Sequence, residues 1–350
     1  MKAVWRWLKR LISTFLALLL GLLSPVAYSE IACRPSGEFI DYDAIIDTAH
    51  HRPETRTLMT YPEWHIVHAY EDFGHVLKTG DPHDFEFIRA ISGFWGSLCA
   101  LSKSSAAHGE IDAATKQMVY VIGISFTVEL LLKASYEETM GRLATIIRGS
   151  ERSVLDDLSA TQAMNYATFL QQTPWYKWDF ESDVRSLSKA GMRGLRNKER
   201  RLALGLEYRA KAAYAGLIAK AVSQAGPDEL TLRMIVTDIS AQQLAQIDGV
   251  RVIAKSEAGI EIETIRYRAL THLIEDMVGN DVNFVEIAGN DDIMFTVLSN
   301  ASTHPNAIYS SARQGFGDYR HLVLVPVGGL SGELQALVSG QTRLEHVHDY

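Results

Sequence analysis

The densest chemistry in the chain lies in one helical stretch, where Trp64, His68, Glu71 and His75 follow one another at steps of four, three and four. That spacing sets them along a single stripe of a helix. Two imidazoles and a carboxylate on one stripe are three ligands for a divalent metal, zinc or iron, and His50, His51 or His83 are near enough in sequence to complete the shell. The order departs from the paired-histidine signature of zinc proteases and from the Glu-x-x-His of di-iron bundles, since the neighbours here are His68-x-x-Glu71 and Glu71-x-x-x-His75. Ile66, Ala69, Tyr70, Phe73 and Leu77 form the opposite, apolar face. An ordinary amphipathic helix with a solvated or inter-helix polar face therefore explains the stripe without a ligand, and is the preferred reading.

Two further segments carry charge in unusual settings. Met118 to Leu132 is almost wholly apolar, with Glu129 inside it and Lys133 four residues on, in the favourable order for an ion pair. A run of this length is short for a membrane span and suits a buried core helix or a re-entrant piece. The functional reading of Glu129 is a buried carboxylate acting as acid, base or ligand; the preferred one is a buried ion pair with Lys133, which Glu137 continues. Farther on, Trp175, Tyr176 and Trp178 crowd around Lys177, and nine Lys and Arg against two acids follow from Arg185 to Lys211. Aromatics beside a basic amphipathic helix suit a membrane interface, which makes Trp175, Tyr176, Trp178, Arg196, Lys198, Arg200 and Arg201 candidate lipid contacts. A folded body that buries the rings and solvates the charges competes with this reading. Asn300 to Asp318 reads as a long polar connection, a linker or rim before a ligand site, because it has neither a phosphate-loop lysine nor a nucleophile elbow.

Ahead of these segments stand Lys2, Arg6, Lys9 and Arg10, then the apolar run Leu11 to Leu23, then Pro25 and Ala27-Tyr28-Ser29. A charged head, an apolar middle and a small-residue exit form an export signal. Cleavage after Ser29 is preferred to retention as an anchor, because the strictly apolar run is shorter than the roughly 17 to 25 residues that a span needs. Lipidation of Cys33 is disfavoured by Glu30, three residues before it. Only Cys33 and Cys99 are present, enough for one exported disulfide and too few for a disulfide scaffold.

The 47% apolar and 22% charged composition is that of a globular protein, and the net charge of −8 argues against a nucleic-acid partner. The apolar period is helical up to Gly226-Pro227-Asp228, with helices over 56–78, 85–101, 113–148, 159–171 and 197–223. Beyond it, strands over 230–239, 250–255, 260–265, 282–287 and 293–298 alternate with helices over 240–247 and 267–278. Residues 282–298 read as a hairpin, His321 to Val327 as one more strand, and Gly332 onward as a closing helix. The expected fold class is α+β: a leader over 1–29, a mostly helical domain over 30–225, a ferredoxin-like β-α-β-β-α-β domain over 228–327 and a C-terminal tail over 328–350. No internal repeat is visible.

The strings Thr60-Tyr61-Pro62-Glu63-Trp64, Gly123-Ile124-Ser125-Phe126 with Glu129, Lys133 and Tyr136 to Arg142, and Pro174-Trp175-Tyr176 resemble an uncharacterised group of bacterial membrane-associated proteins. The resemblance spans about Arg56 to Lys220 and implies a bacterial, envelope-associated origin with no catalytic residue to carry over; with the leader, the expected location is the inner membrane, facing the periplasm. The expected function is that of a non-catalytic envelope protein which binds membrane lipid or a membrane protein. The alternative is a metal-dependent enzyme that uses His68, Glu71 and His75. Homo-oligomerisation has no sequence signal either way.

Overall fold

The computed structural model describes residues 2–191, 193–222, 230–338 and 340–349. The expected division at Gly226-Pro227-Asp228 lies outside these residues. The helical part contains α1 (Lys2–Ala32), α2 (Glu54–Thr79), α3 (Phe87–Ser104), α4 (Ala113–Tyr136), α5 (Arg142–Arg148), α6 (Val154–Leu170), α7 (Phe180–Lys189) and α8 (Leu195–Val222). Caps mark several starts: Asp112 accepts from the Thr115 amide, Asp179 from the Ser182 amide, and Ser153 with Asp156 closes a capping box. A single π turn, Glu137–Gly141, joins α4 to α5. Gly141 is needed there, because a Cβ on it would lie 2.2 Å from the Glu137 carboxylate folded over it.

α2 is the central helix. One face, with Ala69, Phe73 and Leu77, packs on Phe94, Trp95 and Leu98 of α3, on Val119, Phe126 and Leu130 of α4 and on Ala160 of α6. Small residues set the closest approaches: a Cβ on Gly93 of α3 would lie 2.4 Å from the His65 ring. α1 touches the rest only near its C-terminal end, where Cys33 is bonded to Cys99 of α3 and Tyr120 of α4 donates to Glu30 at 2.6 Å. From Leu11 to Leu20 every residue is exposed. α1 and the α4–α5 stretch are the two described helices long and apolar enough to cross a membrane.

The C-terminal part contains β1 (Thr231–Thr237), α9 (Ala241–Leu244), β2 (Val250–Ser256), β3 (Gly259–Ile265), α10 (Arg268–Gly279), β4 (Asn283–Ile287), β5 (Asp292–Ser299), β6 (Ala307–Ala312), β7 (Tyr319–Pro326), α11 (Leu330–Val338) and β8 (Arg343–His348). These strands make two antiparallel four-stranded sheets, ordered β2-β3-β1-β4 and β6-β7-β5-β8. The expected hairpin over 282–298 is absent: β4 pairs with β1, whereas β5 pairs with β7 and β8. The polar connection 300–318 contributes β6, and the expected tail contributes α11 and β8. Each sheet has the same internal order, its second strand at one edge and its fourth at the other, so the C-terminal part is two like-connected units that share one apolar core.

The segment between α1 and α2 is strapped onto the first sheet by Glu286. Its fully buried carboxylate accepts from Tyr42 Oη at 2.8 Å and from the amides of Ile45 and Ile46 at 2.6 and 2.8 Å.

Candidate functional site

The polar stripe of α2 is neither solvated nor set against another helix. It faces the second sheet, on an apolar footing in which Leu58 and Tyr61 of α2 meet Met294 and Leu322. His68 and Asp72 are 3% and 6% exposed. Arg320 of β7 holds Glu345 of β8 through Nε and Nη2 at 2.5 and 2.7 Å and reaches Glu71 at 3.4 Å. Arg313, at the end of β6, pairs with Asp318 at 3.0 Å and approaches Glu71 at 3.5 Å. Asp72 accepts from the Gln314 amide at 2.9 Å, and burial pushes its carboxyl up to about 7.

Three imidazoles close this layer. His68 stands 3.9 Å from Glu71 and 3.8 Å from Glu345, too far for a hydrogen bond. His346 lies over the Trp64 ring, centroids 3.8 Å apart, with its Nδ1 3.0 Å from Thr271 Oγ1. His348 meets Tyr61 edge-on at 5.0 Å. Neither ring nitrogen of His68 or His348 has a hydrogen-bond partner. Burial holds all three neutral, with His346 pushed down to about 3, and His65 on the neighbouring face down to about 4.

Of the three metal ligands expected on α2, His68 and Glu71 come together, with Glu345 as their third neighbour. His75 does not join them; its ring stacks on Phe316 at 3.8 Å. Both oxygens of Glu345 are already held by Arg320, and two guanidiniums face Glu71, so the site is an arginine–carboxylate network before it is a cation site. Sequence reasoning missed Arg313, Arg320, Glu345, His346 and His348. The one signal available was the strand-like spacing His346-x-His348, which puts two imidazoles on one face of an extended segment.

The expected pair Glu129–Lys133 is not formed. Both side chains turn to α8 instead, where Lys211 holds Glu129 at 2.7 Å and Glu207 holds Lys133 at 3.1 Å. Each helix thus satisfies the other's buried charge. Lys133, Glu207 and Lys211 line a small cavity of about 30 Å³ together with Tyr70, Tyr166 and Tyr208, room for about one water.

The candidate lipid contacts divide. Arg196 and Arg200, 3% and 1% exposed, cannot reach lipid. Arg196 is bonded to Asp156 at 2.8 Å and Glu199 at 2.9 Å; Arg200 is bonded to Glu137 at 2.8 Å. Arg201 donates to the Ala190 carbonyl. Trp175, Tyr176 and Trp178 are half-buried in a cluster with Tyr166 and Phe180, and Trp178 donates to Asp183 at 2.7 Å. Lys198 alone among the seven is fully exposed.

On α4 the exposed side chains are mostly apolar, whereas α8 mixes exposed apolar and basic ones. No exposed residue from Ala113 to Ser135 carries a charge, and the exposed line runs through Met118, Val121, Val128 and Leu132. On α8 a second exposed line runs through Leu202, Leu206, Arg209, Ala213 and Leu217, with Lys198 and Lys220 at its ends. The pairs 133 with 207, 136 with 199 and 129 with 211 show that the two helices run antiparallel. The exposed line lies about 70° behind the contact line on α4 and about 100° behind it on α8, so both lines emerge on the same side of the layer. No protein family model, curated protein or solved structure matches the chain.

Proposed function

We propose that the chain is a non-catalytic bacterial envelope protein, held at the inner membrane by α1 and lying with its α4–α8 layer against lipid or a membrane protein, with the sheet units facing the periplasm. The observation that carries this reading is the exposed apolar line of α4, set on the same side as an exposed line of α8 that mixes leucines with Lys198, Arg209 and Lys220. From Ala113 to Ser135, about 34 Å at 1.5 Å per residue, the charged side chains Lys116, Glu129 and Lys133 are all part-buried in ion pairs, and exposed apolar patches mark interaction or membrane surfaces. Arg209, exposed within the α8 line, and Lys198 and Lys220 at its ends supply positive charge suited to anionic headgroups. α1 supports retention of the leader, because its apolar stretch from Leu11 to Leu20 lies exposed outside the fold while its C-terminal end is tied to α3 and α4.

We read the first sheet unit as ferredoxin-like on the β2-β3-β1-β4 order with its β-α-β-β-α-β sequence; the second repeats the strand order without a helix between β5 and β6, and the likeness carries no activity. The alternative, a metal-dependent enzyme at His68 and Glu71, is the weaker reading because arginines already hold the carboxylates.

The test is flotation of the chain from Glu30 onward with vesicles containing anionic lipid. Wild type floats, and Leu132→Glu with Leu206→Glu stays at the bottom while its circular dichroism is unchanged. Equal flotation of both would sink the membrane-surface reading. A reporter fused after Tyr350 is expected to be active only outside the cytoplasm.

A further inference from the structure

A second polar cluster lies away from the α2–sheet network, at the junction of three parts of the molecule. Glu54 is the first residue of α2, His108 ends the short 3-10 turn after α3, and Asp292 opens β5. His108 Nδ1 is 2.8 Å from Glu54 Oε2, and its Nε2 is 3.9 Å from Asp292 Oδ2. One donor atom from each residue lies within 4.8 Å of the other two.

We propose that Glu54, His108 and Asp292 form a divalent-cation site suited to zinc. One imidazole and two carboxylates are a zinc donor set, and ligands about 2.0–2.2 Å from a tetrahedral ion stand about 3.4 Å apart. The 2.8 Å separation is from Nδ1 and the 3.9 Å one from Nε2, so one ion would take a single nitrogen of the ring, and the imidazole has to turn for donors already within 4.8 Å of one another to close on it. A second observation points the same way: Glu54 is 7% exposed, and its Oε1 is buried without a hydrogen-bond partner. A carboxylate oxygen in that state is costly unless a cation or donor meets it.

The surrounding charge agrees. His108 feels three carboxylates, those of Glu54, Asp292 and Asp291. Three protein ligands leave a fourth position for water or a further ligand. Binding replaces the imidazole proton, so one proton is released for each protonated His108 that takes up an ion. Because its ligands come from α2, from the end of α3 and from β5, the bound ion ties the helical body to the sheet units.

The test uses the full chain in detergent, stripped with a chelator, loaded with zinc alone and passed through a desalting column. Wild type is expected to retain one equivalent and to melt at a higher temperature than the stripped protein. X-ray absorption of the loaded wild type is expected to show nitrogen and oxygen neighbours with a single imidazole. His108→Gln and Asp292→Asn are expected to lose the retained equivalent, whereas His68→Ala keeps it. Retention of no zinc by wild type would overturn the proposal, as would a first shell with two or more imidazoles. A folded Asp292→Asn that keeps a full equivalent would overturn it as well, whether or not His108→Gln folds.

Discussion

Arg200 and Glu137 hold one another through two hydrogen bonds of 2.8 and 3.0 Å, at 1% and 3% exposure. Glu199 adds a second carboxylate to the same guanidinium at 2.5 Å, so α8 is locked to the π turn beside α4. Arg200→Ala strands two carboxylates in the interior and is expected to cost about 3–5 kcal/mol. Urea unfolding checks this. An unchanged midpoint with weakened lipid binding would instead mean that Arg200 faces the membrane.

Acid is expected to destabilise the packing of α2 against the second sheet, through His68, His346 and His348, and against α3, through His65. His65, His68, His346 and His348 bind protons less readily folded than unfolded. Their contribution is therefore complete above the ordinary histidine pKa of about 6.5 and falls as the pH drops through it, by about 1.4 kcal/mol per pH unit for each group. For His65 the loss continues to about 4, and for His346 to about 3. Asp72, raised to about 7, works the other way and gains stability as the pH falls from there. Four imidazoles outweigh one carboxyl. Urea midpoints at pH 7.5 and 5.5 should fall in that order, and His346→Phe should flatten the slope; an identical slope in the variant would contradict the assignment.

Gly93→Ala is expected to cost about 1–3 kcal/mol. The new methyl meets His65 Cε1 at 2.4 Å and displaces the ring from its 2.9 Å contact with the Ala90 carbonyl. Thermal melts of Gly93→Ala, His65→Ala and the double variant test the pair. Strict additivity of the two effects would show that the clash is relieved elsewhere.

The Cys33–Cys99 bond closes a loop with a sequence separation of 66 residues. On the chain-entropy account its loss is worth about 4 kcal/mol. Cys33→Ser with Cys99→Ser should lower the urea midpoint accordingly, and adding reductant to wild type should reproduce the shift. Resistance of wild type to reductant, with a destabilised double variant, would show only that the bond is shielded.

The helices were legible because their apolar period is strong: Arg56 to Lys78 is observed as Glu54–Thr79, and 197–223 as Leu195–Val222. α7 was not legible; its ten residues bury only Phe180 and Leu187 fully. β6 and β8 were missed for a different reason. β6 is largely half-buried and rich in small residues, and β8 turns His346 and His348 inward where apolar residues would ordinarily mark a strand. The site was hidden by the same feature. A polar stripe on α2 looks solvated until the polar strand that covers it is identified, and nothing local to α2 names that strand. The charged partners on α8 were hidden likewise, since helix spacing suggests Glu129 with Lys133 and only tertiary packing sends each to another helix.

The dependence of α2 on β7 and β8 has a consequence for how the chain is made. Glu71 and Arg320 are 249 residues apart in sequence. While the polypeptide is still emerging, α2 has its apolar side available for α3 and α4, but its charged side has nothing to close against until the second sheet exists. Maturation is therefore expected to be sequential, with an early helical intermediate that stays open on one flank and is vulnerable to proteases. Ribosome-stalled chains ending before β7 should be cut within α2, whereas chains in which β8 has cleared the exit tunnel should resist.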